Sequence, residues 1–449
     1  MTALDRAALA RSGVDSAAAP VRIVHIGLGA FHRAHQAWYT EQVDAAREWG
    51  IAAFTGRSPK AADELAAQDG LYALLTQHAD HDEVEVIRAI SEAHDGADVA
   101  ALRRIVAASA TAVVTLTITE AGYPTDAAAW SDDVAAIAAG REPRGAIARL
   151  VTALDARRRA AAGPIAVVPC DNLPENGPLA RAAVLGIAEQ LDAGLAGWID
   201  AHVAFASTSI DRITPRTTAD DVDAVRALTG WDDRSPVVTE PFRDWVIQGD
   251  FPAGRPAWEA AGARFVDDLE PWEQRKLWLL NGAHTLLANA GPARGHETVA
   301  EAIADPGLRR AVDALWDEAE RHLPFELDVP AYRSALVERF ENARIRHRLA
   351  QIAQDSLQKL RVRVAPVALA ELAAGRTPEG AASAIGAWAG RVAAGLGEPD
   401  RGEADLAAAR AASDPVRALV AAVDPRLADD ERFLAAARAA AHTTATKEP

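Results

Sequence analysis

The distribution of apolar residues divides the chain into two parts. In the first half, short apolar runs alternate with helical patterns: VRIVHIGLG, GIAAFTG, TAVVTLTIT, PIAVVPC and AHVAFASTSI. Such runs, separated by helices, are typical of parallel strands covered on both faces. From about Glu270 onward, alanine, leucine, arginine and glutamate recur at helical spacing between proline and glycine breaks. The pattern predicts an α/β domain over residues 1–265 and a mainly α-helical domain over residues 266–449. Only the first twenty or so residues and the final HTTATKEP lack a clear pattern.

The first apolar run ends in a glycine turn. VRIVHIGLGAFHRAH places Gly27 and Gly29 between a strand and a helical stretch. At this point the backbone of a dinucleotide-binding protein turns tightly and approaches the pyrophosphate. His32 stands where the usual pattern has its third glycine. An ordinary strand-to-helix connection is the alternative, but the position at the first strand of an alternating β/α array favours a nucleotide.

The second apolar run ends without the acidic residue that binds the adenosine ribose in proteins that prefer NAD. Arg57 and Ser58 follow it instead, and both side chains can accept the 2′-phosphate of NADP. Stacking of Arg57 on the adenine is the alternative. These residues therefore leave the choice between the two nucleotides open.

Polar residues follow the third, fourth and fifth runs. The set comprises Glu120, Asp171, Asn172, Asn176 and Asp211. Ligands of open parallel sheets bind outside the carboxyl ends of the strands, so we expect these side chains near a substrate or a nicotinamide. The alternatives are turn formation for the Asp and Asn residues near position 172, helix capping for Glu120, and an ion pair with Arg212 for Asp211.

The segment EPWEQRKLWLLNGAHTLLANAG, residues 270–291, predicts a buried apolar helix. At about 100° per residue, Lys276, His284 and Asn281 lie at about 0°, 80° and 140°, in one broad sector. Buried polar groups need partners or a ligand, and three separately satisfied residues are the alternative. Only four of the 47 basic residues are lysines. Because arginine supplies positive charge elsewhere, a lysine here indicates chemistry in which the side chain loses its proton.

The net charge and the cysteine content limit the binding partners and the kinds of site that we expect for this protein. The formal charge of −17 at pH 7 disfavours nucleic acid and anionic membranes, which attract clustered positive charge, and favours a small-molecule substrate. The single cysteine, Cys170, excludes an intramolecular disulfide and any site that needs several cysteines. The N-terminal residues have early acids and no continuous apolar stretch, so we predict neither signal peptide nor membrane anchor. We expect a cytoplasmic protein.

Together the motifs resemble one known family. GLGAFHRAH, TLTITEAGY, CDNLPENG, DRITP, TEPFRDW and KLWLLNGAH follow one another as in the polyol-specific long-chain dehydrogenases, which include mannitol 2-dehydrogenase and fructuronate reductase. The resemblance covers about residues 20–440. It implies a Rossmann-like first domain, a helical second domain, a nicotinamide cofactor and no metal. Members of that family are often monomers.

The resemblance also implies roles for single residues. Lys276 would be the general acid/base, Asn172 and Asn281 would hold the substrate oxygen, and His284 and Asp211 would position the polyol. The predicted nucleotide-binding set is Gly27, Gly29, Ala30, Phe31, Arg57, Thr117, Glu120 and Asp171. NAD is the expected cofactor, with NADP as the alternative.

A later segment, ARIRHRLAQIAQDSLQKLRVR, resembles the substrate-contacting helix of the family. It predicts Arg344, His347 and Lys359 as substrate-binding residues. The family more often has glycine and proline around that lysine, as in DGSQKLP, whereas serine, leucine and arginine stand here. A solvated, arginine-rich face is the alternative.

The predicted activity is the oxidation of a sugar alcohol to a ketose and the reverse reduction, of the mannitol-to-fructose type. Within the family the alternative is a D-mannonate oxidoreductase (fructuronate reductase), whose carboxylate substrate would favour a bidentate arginine. Outside catalysis, the alternative is an inactive nucleotide-binding sensor, which the intact lysine, asparagine and histidine positions disfavour.

Two other dehydrogenase types are disfavoured. GHETVAEAIAD resembles a zinc-ligand segment, but the chain lacks the accompanying cysteine ligands, and Val299 and Ile303 fit the core positions of a helix. A short-chain dehydrogenase needs a lysine four residues after a tyrosine, and none of the four tyrosines has one.

Overall fold

The protein is described by a computed structural model that covers residues 2–123 and 126–445. The chain divides into two compact units, Met1–Leu269 and Glu270–Pro449. All strands of the described residues lie in the first unit, whereas the second unit is helical. The predicted class, an α/β domain followed by a mainly helical one, is confirmed.

The strands of the first unit are β1 (Thr2–Ala3), β2 (Val21–Ile26), β3 (Gly50–Phe54), β4 (Tyr72–Gln77), β5 (Asp82–Ile87), β6 (Ile90–His94), β7 (Val113–Leu116), β8 (Ile165–Pro169), β9 (Val203–Phe205), β10 (Ser207–Asp211), β11 (Trp231–Asp232), β12 (Val237–Thr239), β13 (Asp244–Gln248) and β14 (Arg264–Phe265). Its helices are α1 (Arg6–Arg11), α2 (Ala30–Ala34), α3 (Gln36–Val43), α4 (Lys60–Ala66), α5 (Val99–Val106), α6 (Ala127–Ala138), α7 (Ala146–Arg159), α8 (Asn176–Leu191), α9 (Ala193–His202) and α10 (Ala219–Thr229). Short 3₁₀ turns span Glu120–Gly122 and Trp258–Ala261.

The main sheet is parallel and has the strand order β6-β3-β2-β7-β8-β9. In chain order its strands read 3-2-1-4-5-6, the doubly wound order of dinucleotide-binding sheets, whose direction of winding reverses between β2 and β7. Neighbouring residues of β2 point to opposite faces, so Val24 joins one hydrophobic core and Ile23 the other. Burial on both faces explains why these strands are continuously apolar.

The fifth apolar run is not one strand, which corrects the prediction for Asp211. The segment breaks at the buried residue Ala206: β9 pairs with β8 in the main sheet, whereas β10 pairs with β13 in a separate three-stranded sheet. Close packing accounts for the break, because a Cβ atom at Gly177 would lie 2.7 Å from the carbonyl oxygen of Ala206, and one at Gly249 would lie 2.8 Å from its Cα atom. Asp211 therefore ends a strand of the smaller sheet.

The N-terminal residues, for which the sequence shows no clear pattern, are ordered by backbone pairing. β1 pairs with β11, and the side chain of Asp5 caps α1. Arg6 ties this segment to the main sheet, because its guanidinium donates to the carbonyl oxygens of Arg88 and Ile90 at 3.1 and 2.8 Å. Leu4 and Leu9 pack with Leu71 in a small apolar cluster, and the half-buried Arg6 adds hydrogen bonds to it.

The second unit consists of helices. They are α11 (Glu270–Arg275), a π-helix (Lys276–Asn281), α12 (Gly282–Ala290), α13 (Val299–Ala304), α14 (Pro306–Glu320), α15 (Val329–Glu341), α16 (Leu349–Ala353), α17 (Ser356–Arg363), α18 (Ala365–Ala373), α19 (Glu379–Ala393), α20 (Glu403–Arg410), α21 (Pro415–Val423), α22 (Pro425–Asp429) and α23 (Glu431–Ala445). Short 3₁₀ turns span Gly291–Arg294 and Phe325–Leu327.

All residues of α12 are buried, and this helix packs against α14, α16, α17 and α19. Val299 and Ile303 are buried on α13, which confirms their predicted core positions. No helix in the described part of the chain is both long and apolar enough to cross a membrane.

Candidate functional site

The turn after β2 can only be built with glycine at position 27. Gly27 has φ +112°, and a Cβ atom there would collide with the carbonyl oxygen of Thr117 and lie 2.7 Å from its carbonyl carbon. The hydroxyl of Thr117 donates to the carbonyl oxygen of Gly27 at 2.9 Å. The first turn of the sheet is therefore held directly against the end of β7, at the point where the winding reverses.

Gly29 lies at the N-terminus of α2 and leaves open space beside the backbone. A Cβ atom there would meet only the carbonyl oxygen of Gly27, at 3.6 Å. Ala30 and Phe31 begin the helix, which ends at Ala34 because the chain bends at His35 before α3 starts. The open backbone at Gly29 beside the tight turn fits the close approach of a dinucleotide pyrophosphate.

Two stacked histidines replace the third glycine of the usual pattern. The rings of His25 on β2 and His32 on α2 are 3.4 Å apart between centroids and 7° from parallel. Since the Thr117 hydroxyl donates to Gly27, Nε2 of His25 carries a proton that it donates to Thr117 Oγ1 at 3.0 Å, and Nδ1 accepts from Thr115 Oγ1 at 2.8 Å. Burial lowers the pKa of His25 to about 3 and the pKa of His32 well below 6.5. The pair is therefore neutral, and two flat rings provide the close helix-to-strand packing that glycine usually allows.

The end of β3 presents Arg57 to solvent. Thr55 is buried and its Oγ1 accepts a hydrogen bond from the backbone N–H of Gly96 at 2.9 Å. Arg57 and Ser58 follow it and are exposed. The position that holds a ribose-binding acid in many NAD-dependent proteins is thus followed by an exposed cation.

Asp171 orients the loop after β7. Its carboxylate accepts hydrogen bonds from the backbone N–H groups of Ile118 at 3.1 Å and Thr119 at 2.8 Å, and from the hydroxyl of Tyr123 at 2.6 Å. Thr119 has φ +65°, so these bonds hold a left-handed backbone. Glu120 is the next residue and is exposed at the start of a 3₁₀ turn. The three protein donors explain the burial of Asp171, whereas the sequence predicted a side chain that contacts the nucleotide.

The side chain of Asn176 forms hydrogen bonds with the protein backbone, which corrects the prediction that it lies near a ligand. Its amide nitrogen donates to the carbonyl oxygens of Asp171 at 3.1 Å and Thr208 at 2.7 Å, and its Oδ1 accepts from the N–H of Thr208 at 2.9 Å. The residue is fully buried, so its amide needs these partners. Asn172, in the loop between, is exposed.

In the second unit, the predicted continuous helix over residues 270–291 is interrupted. Residues Lys276–Asn281 form a π-helix, in which the N–H of Gly282 reaches the carbonyl oxygen of Leu277, five residues earlier. Hydrogen bonds between residues i and i+5 add nearly one residue to the turn. Lys276 and Asn281, which a regular helix would separate by about 140°, therefore point in more similar directions.

The π-helix is supported from outside the segment. The indole N–H of Trp316 on α14 donates to the carbonyl oxygen of Leu279 at 2.8 Å. The hydroxyl of Thr285 donates to the carbonyl oxygen of Asn281 at 2.9 Å and accepts from the guanidinium of Arg363 at 3.1 Å. These side chains come from α12, α14 and α17, so the unusual backbone is set by the packing of the second unit.

His284, one turn beyond the π-helix, is buried and neutral. Its ring lies 4.8 Å from that of Phe340 and 4.9 Å from that of His347, between centroids. Burial lowers the pKa of His284 well below 6.5, and electrostatic interactions with His347, Arg339 and Arg363 lower it further. The surroundings of His284 are thus cationic, which favours an electron-rich or anionic ligand.

The other predicted substrate residues lie in different environments. The structure brings His347 beside His284, whereas Arg344 is exposed. The ammonium group of Lys359 donates to the carbonyl oxygens of Ile352 at 2.8 Å and Gln354 at 2.5 Å, at the C-terminus of α16. Lys359 therefore caps the C-terminus of α16 in this structure.

Within residues 2–123 and 126–445, no group of three or more His, Cys, Asp or Glu side chains is placed to hold a metal ion.

Comparison with known proteins identifies both units. Residues 21–260 match the mannitol dehydrogenase Rossmann domain, and residues 268–393 match the mannitol dehydrogenase C-terminal domain. The chain is 38% identical to D-mannonate oxidoreductase of Escherichia coli over 372 residues, which are 78% of this chain and 76% of the relative. It is 36% identical to mannitol 2-dehydrogenase of Cereibacter sphaeroides over 394 residues, 84% of this chain and 82% of the relative.

Among solved structures, the ternary complex of Pseudomonas fluorescens mannitol 2-dehydrogenase with NAD and D-mannitol is similar, with a TM-score of 0.75 and 32% identity. The match covers 95% of this chain and 94% of that one. Both family domains occur in the expected order, as the sequence motifs predicted, and the chain belongs to the mannitol dehydrogenase family.

Proposed function

We propose that this protein is an NAD-dependent dehydrogenase that oxidises a secondary hydroxyl of a linear sugar alcohol to a ketose and catalyses the reverse reduction, with D-mannitol as the type substrate. The π-helix that carries both Lys276 and Asn281 is the observation on which this rests. The family and the D-mannitol and NAD complex of the Pseudomonas relative support the same activity.

In this mechanism Lys276 is the general acid/base. Its neutral amine takes the hydroxyl proton. NAD, when bound, would supply the acceptor for the hydride that leaves the carbon bearing this hydroxyl. This role requires the neutral amine, and apolar neighbours on the same helix, such as the buried Leu279 and Leu280, would favour it by excluding water. In the direction of ketose reduction, the same nitrogen donates the proton. Since the proton is carried by an amine, the proposal uses no metal.

Asn281 stabilises the oxygen that becomes partly charged. Its side-chain amide donates a hydrogen bond without taking up the proton that Lys276 must remove. Asn172 is the second amide that we assign to this oxygen, and we assign Asp211 and His284 to the remaining hydroxyl groups. His284 suits this role because it stays neutral, so one ring nitrogen can accept and the other can donate.

The first unit binds the nucleotide at the turn after β2. Gly27 forms the tight turn, Gly29 leaves space beside the backbone, and Ala30 and Phe31 begin the helix that faces the pyrophosphate. Arg57, exposed beyond β3, lies at the adenosine end of this arrangement, where it can stack on adenine or pair with a 2′-phosphate. NAD is the proposed cofactor and NADP the alternative.

A panel of possible substrates tests this function. Mannitol, arabinitol, mannonate, fructose, fructuronate and tagaturonate are each supplied with NAD(H) or NADP(H), and the absorbance of the reduced nicotinamide is followed. We expect turnover of mannitol and fructose with NAD(H), with addition of a chelator having no effect. Binding of the nucleotide without turnover of any substrate at any pH would instead support the sensor function.

One observation favours a second substrate class, the aldonates. Arg363 is half-buried, and this burial lowers the pKa of its guanidinium to about 10. One of its nitrogens donates to Thr285, and within the described part of the chain its Nε has no hydrogen-bond partner. A half-buried cation that lies near enough to lower the pKa of His284 suits a terminal carboxylate, as in D-mannonate. The D-mannonate oxidoreductase of E. coli is about as similar to this chain in sequence as the mannitol 2-dehydrogenase of Cereibacter sphaeroides is.

Replacing Arg363 with glutamine separates the two substrate classes. If the substrate is an aldonate, we expect KM for mannonate to rise about 10- to 100-fold, because a hydrogen bond to a charged partner is lost, with KM for mannitol unchanged. Arg361→Gln is the matched control, since Arg361 lies on the same helix, is exposed, and donates to the carbonyl oxygen of Ala422. Equal KM values for Arg363→Gln and Arg361→Gln with mannonate would exclude this role.

A further inference from the structure

The π-helix receives a hydrogen bond from a side chain of another helix. Trp316 lies on α14, is fully buried, and donates its indole N–H to the carbonyl oxygen of Leu279, in the middle of the π-helix. An irregular helical turn leaves carbonyl groups that need other partners, and a buried carbonyl without a partner is costly. The backbone N–H of Gly282 is shared between the carbonyl oxygens of Leu277 and Leu279, so the indole adds a second donor at Leu279. This added donor stabilises the π-helical backbone, in which Gly282 also reaches Leu277.

A second contact acts at the end of the same segment. The hydroxyl of Thr285 donates to the carbonyl oxygen of Asn281, and Arg363 in turn donates to that hydroxyl. Leu279 and Asn281 are two residues apart, so the two contacts fix consecutive parts of the π-helix. The two side chains that donate to these carbonyl oxygens, Trp316 and Thr285, take no direct part in the proposed chemistry.

We infer that Trp316 is a positioning residue, which aligns Lys276 with Asn281 by holding the carbonyl oxygen of Leu279 in the π-helical geometry. In a regular helix the acid/base and the oxygen-binding amide would diverge by about 140°. The longer π turn brings them toward one direction, so that they can act on the same oxygen atom. Thr285 serves the same purpose from the C-terminal end of the segment. The inference rests on the proposed roles of Lys276 and Asn281.

Trp316→Phe tests this role, because it removes the N–H donor and keeps an aromatic ring. We expect kcat to fall about 10- to 100-fold, the loss that follows a displacement of a reacting group by about 1 Å. KM and Kd for NAD should stay the same, since the nucleotide site lies in the first unit. The pH at which kcat/KM reaches half its plateau should move upward, because a displaced Lys276 becomes more hydrated.

Trp258→Phe is the matched control. Trp258 is equally buried, in the first unit, and its indole N–H donates to the hydroxyl of Thr40 at 3.1 Å. This variant also loses one indole hydrogen bond and some buried area, so it reports the general cost of the change. It should keep the pH profile of the wild type.

Deuterium exchange of the amides in residues 276–283 gives a readout that needs no activity. Exchange in this segment should be faster in Trp316→Phe than in the wild type and in Trp258→Phe. Thr285→Val, which keeps the shape of the side chain and removes its hydroxyl, should give a smaller change of the same kind. If the wild type turns over no polyol, the exchange experiment still decides whether Trp316 holds the π-helix.

The inference is overturned if Trp316→Phe and Thr285→Val match the Trp258→Phe control in exchange, or if Trp316→Phe keeps the kcat and the pH profile of that control. In the second case the tryptophan contributes only to stability.

Discussion

Lys276→Met is expected to lower kcat by about two to four orders of magnitude, the usual contribution of a positioned general acid/base. The methionine side chain is similar in length but cannot accept a proton. The affinity for NADH should be nearly unchanged, because the glycine turn that we assign to the nucleotide belongs to the first unit. Steady-state kinetics and a fluorescence titration with NADH measure the two quantities.

Lys276→Arg is the matched variant for this experiment. It keeps the positive charge and a long side chain, but a guanidinium stays protonated under all relevant conditions. We expect it to be nearly as inactive as Lys276→Met. Substantial activity in either variant would show that another group carries the proton, and the proposed mechanism would be wrong.

Gly27→Ala is expected to destabilise the first unit by more than about 3 kcal/mol, because the added Cβ atom overlaps the backbone of Thr117 and the residue has φ +112°. Gly29→Ala should fold normally, since a Cβ atom at this position lies 3.6 Å from its nearest neighbour. The same methyl group occupies the space that we assign to the pyrophosphate, so Kd for NADH should rise at least about tenfold.

Denaturant unfolding and NADH titration separate these two effects. Gly197→Ala provides the control, because Gly197 is exposed on α9 of the same unit and a Cβ atom there has no atom within 4 Å. If Gly29→Ala bound NADH with the affinity of the wild type, the pyrophosphate would not lie beside Gly29, and our assignment of the nucleotide site would be wrong. Wild-type stability in Gly27→Ala would mean that β7 can move away from the turn.

Local patterns were sufficient to predict the main sheet and the glycine turn. Buried parallel strands are apolar on both faces, and Gly27 adopts a backbone conformation that other residues rarely take, so both features are visible in the sequence. The same holds for the helical second half. Its proline and glycine breaks correspond to the ends of helices such as α13 and α19.

Features that depend on distant contacts could not be predicted. The π-helix is supported by Trp316, 37 residues after Leu279, and nothing within residues 270–291 indicates a change of helical period. The strand break at Ala206 follows from close packing against Gly177 and Gly249. In both cases the sequence segment is compatible with a regular element, and tertiary packing decides otherwise.

The polar residues after β8 show a related limit. Asn172 and Asn176 look equivalent in CDNLPENG, but the structure exposes the first and buries the second with three backbone hydrogen bonds. The sequence did contain one indication of this difference. Asn176 is the first residue of the long helix α8, where a buried side-chain amide can form hydrogen bonds with the ends of two neighbouring strands. The sequence alone does not show which strand end lies near enough.

The hydrogen bonds of Asn176 and the backbone around Asn281 also bear on the chemical ageing of the protein. The chain has two Asn-Gly pairs, Asn176-Gly177 and Asn281-Gly282, and in flexible chains such pairs deamidate when the glycine nitrogen attacks the side-chain carbonyl carbon. Both pairs lie in helical segments here, which keep the nitrogen away from that carbon. Deamidation at Asn281 would replace an amide donor with a carboxylate, which donates no hydrogen bond and repels the developing oxyanion. The rate of loss of activity on long storage would then measure how often the π-helix opens.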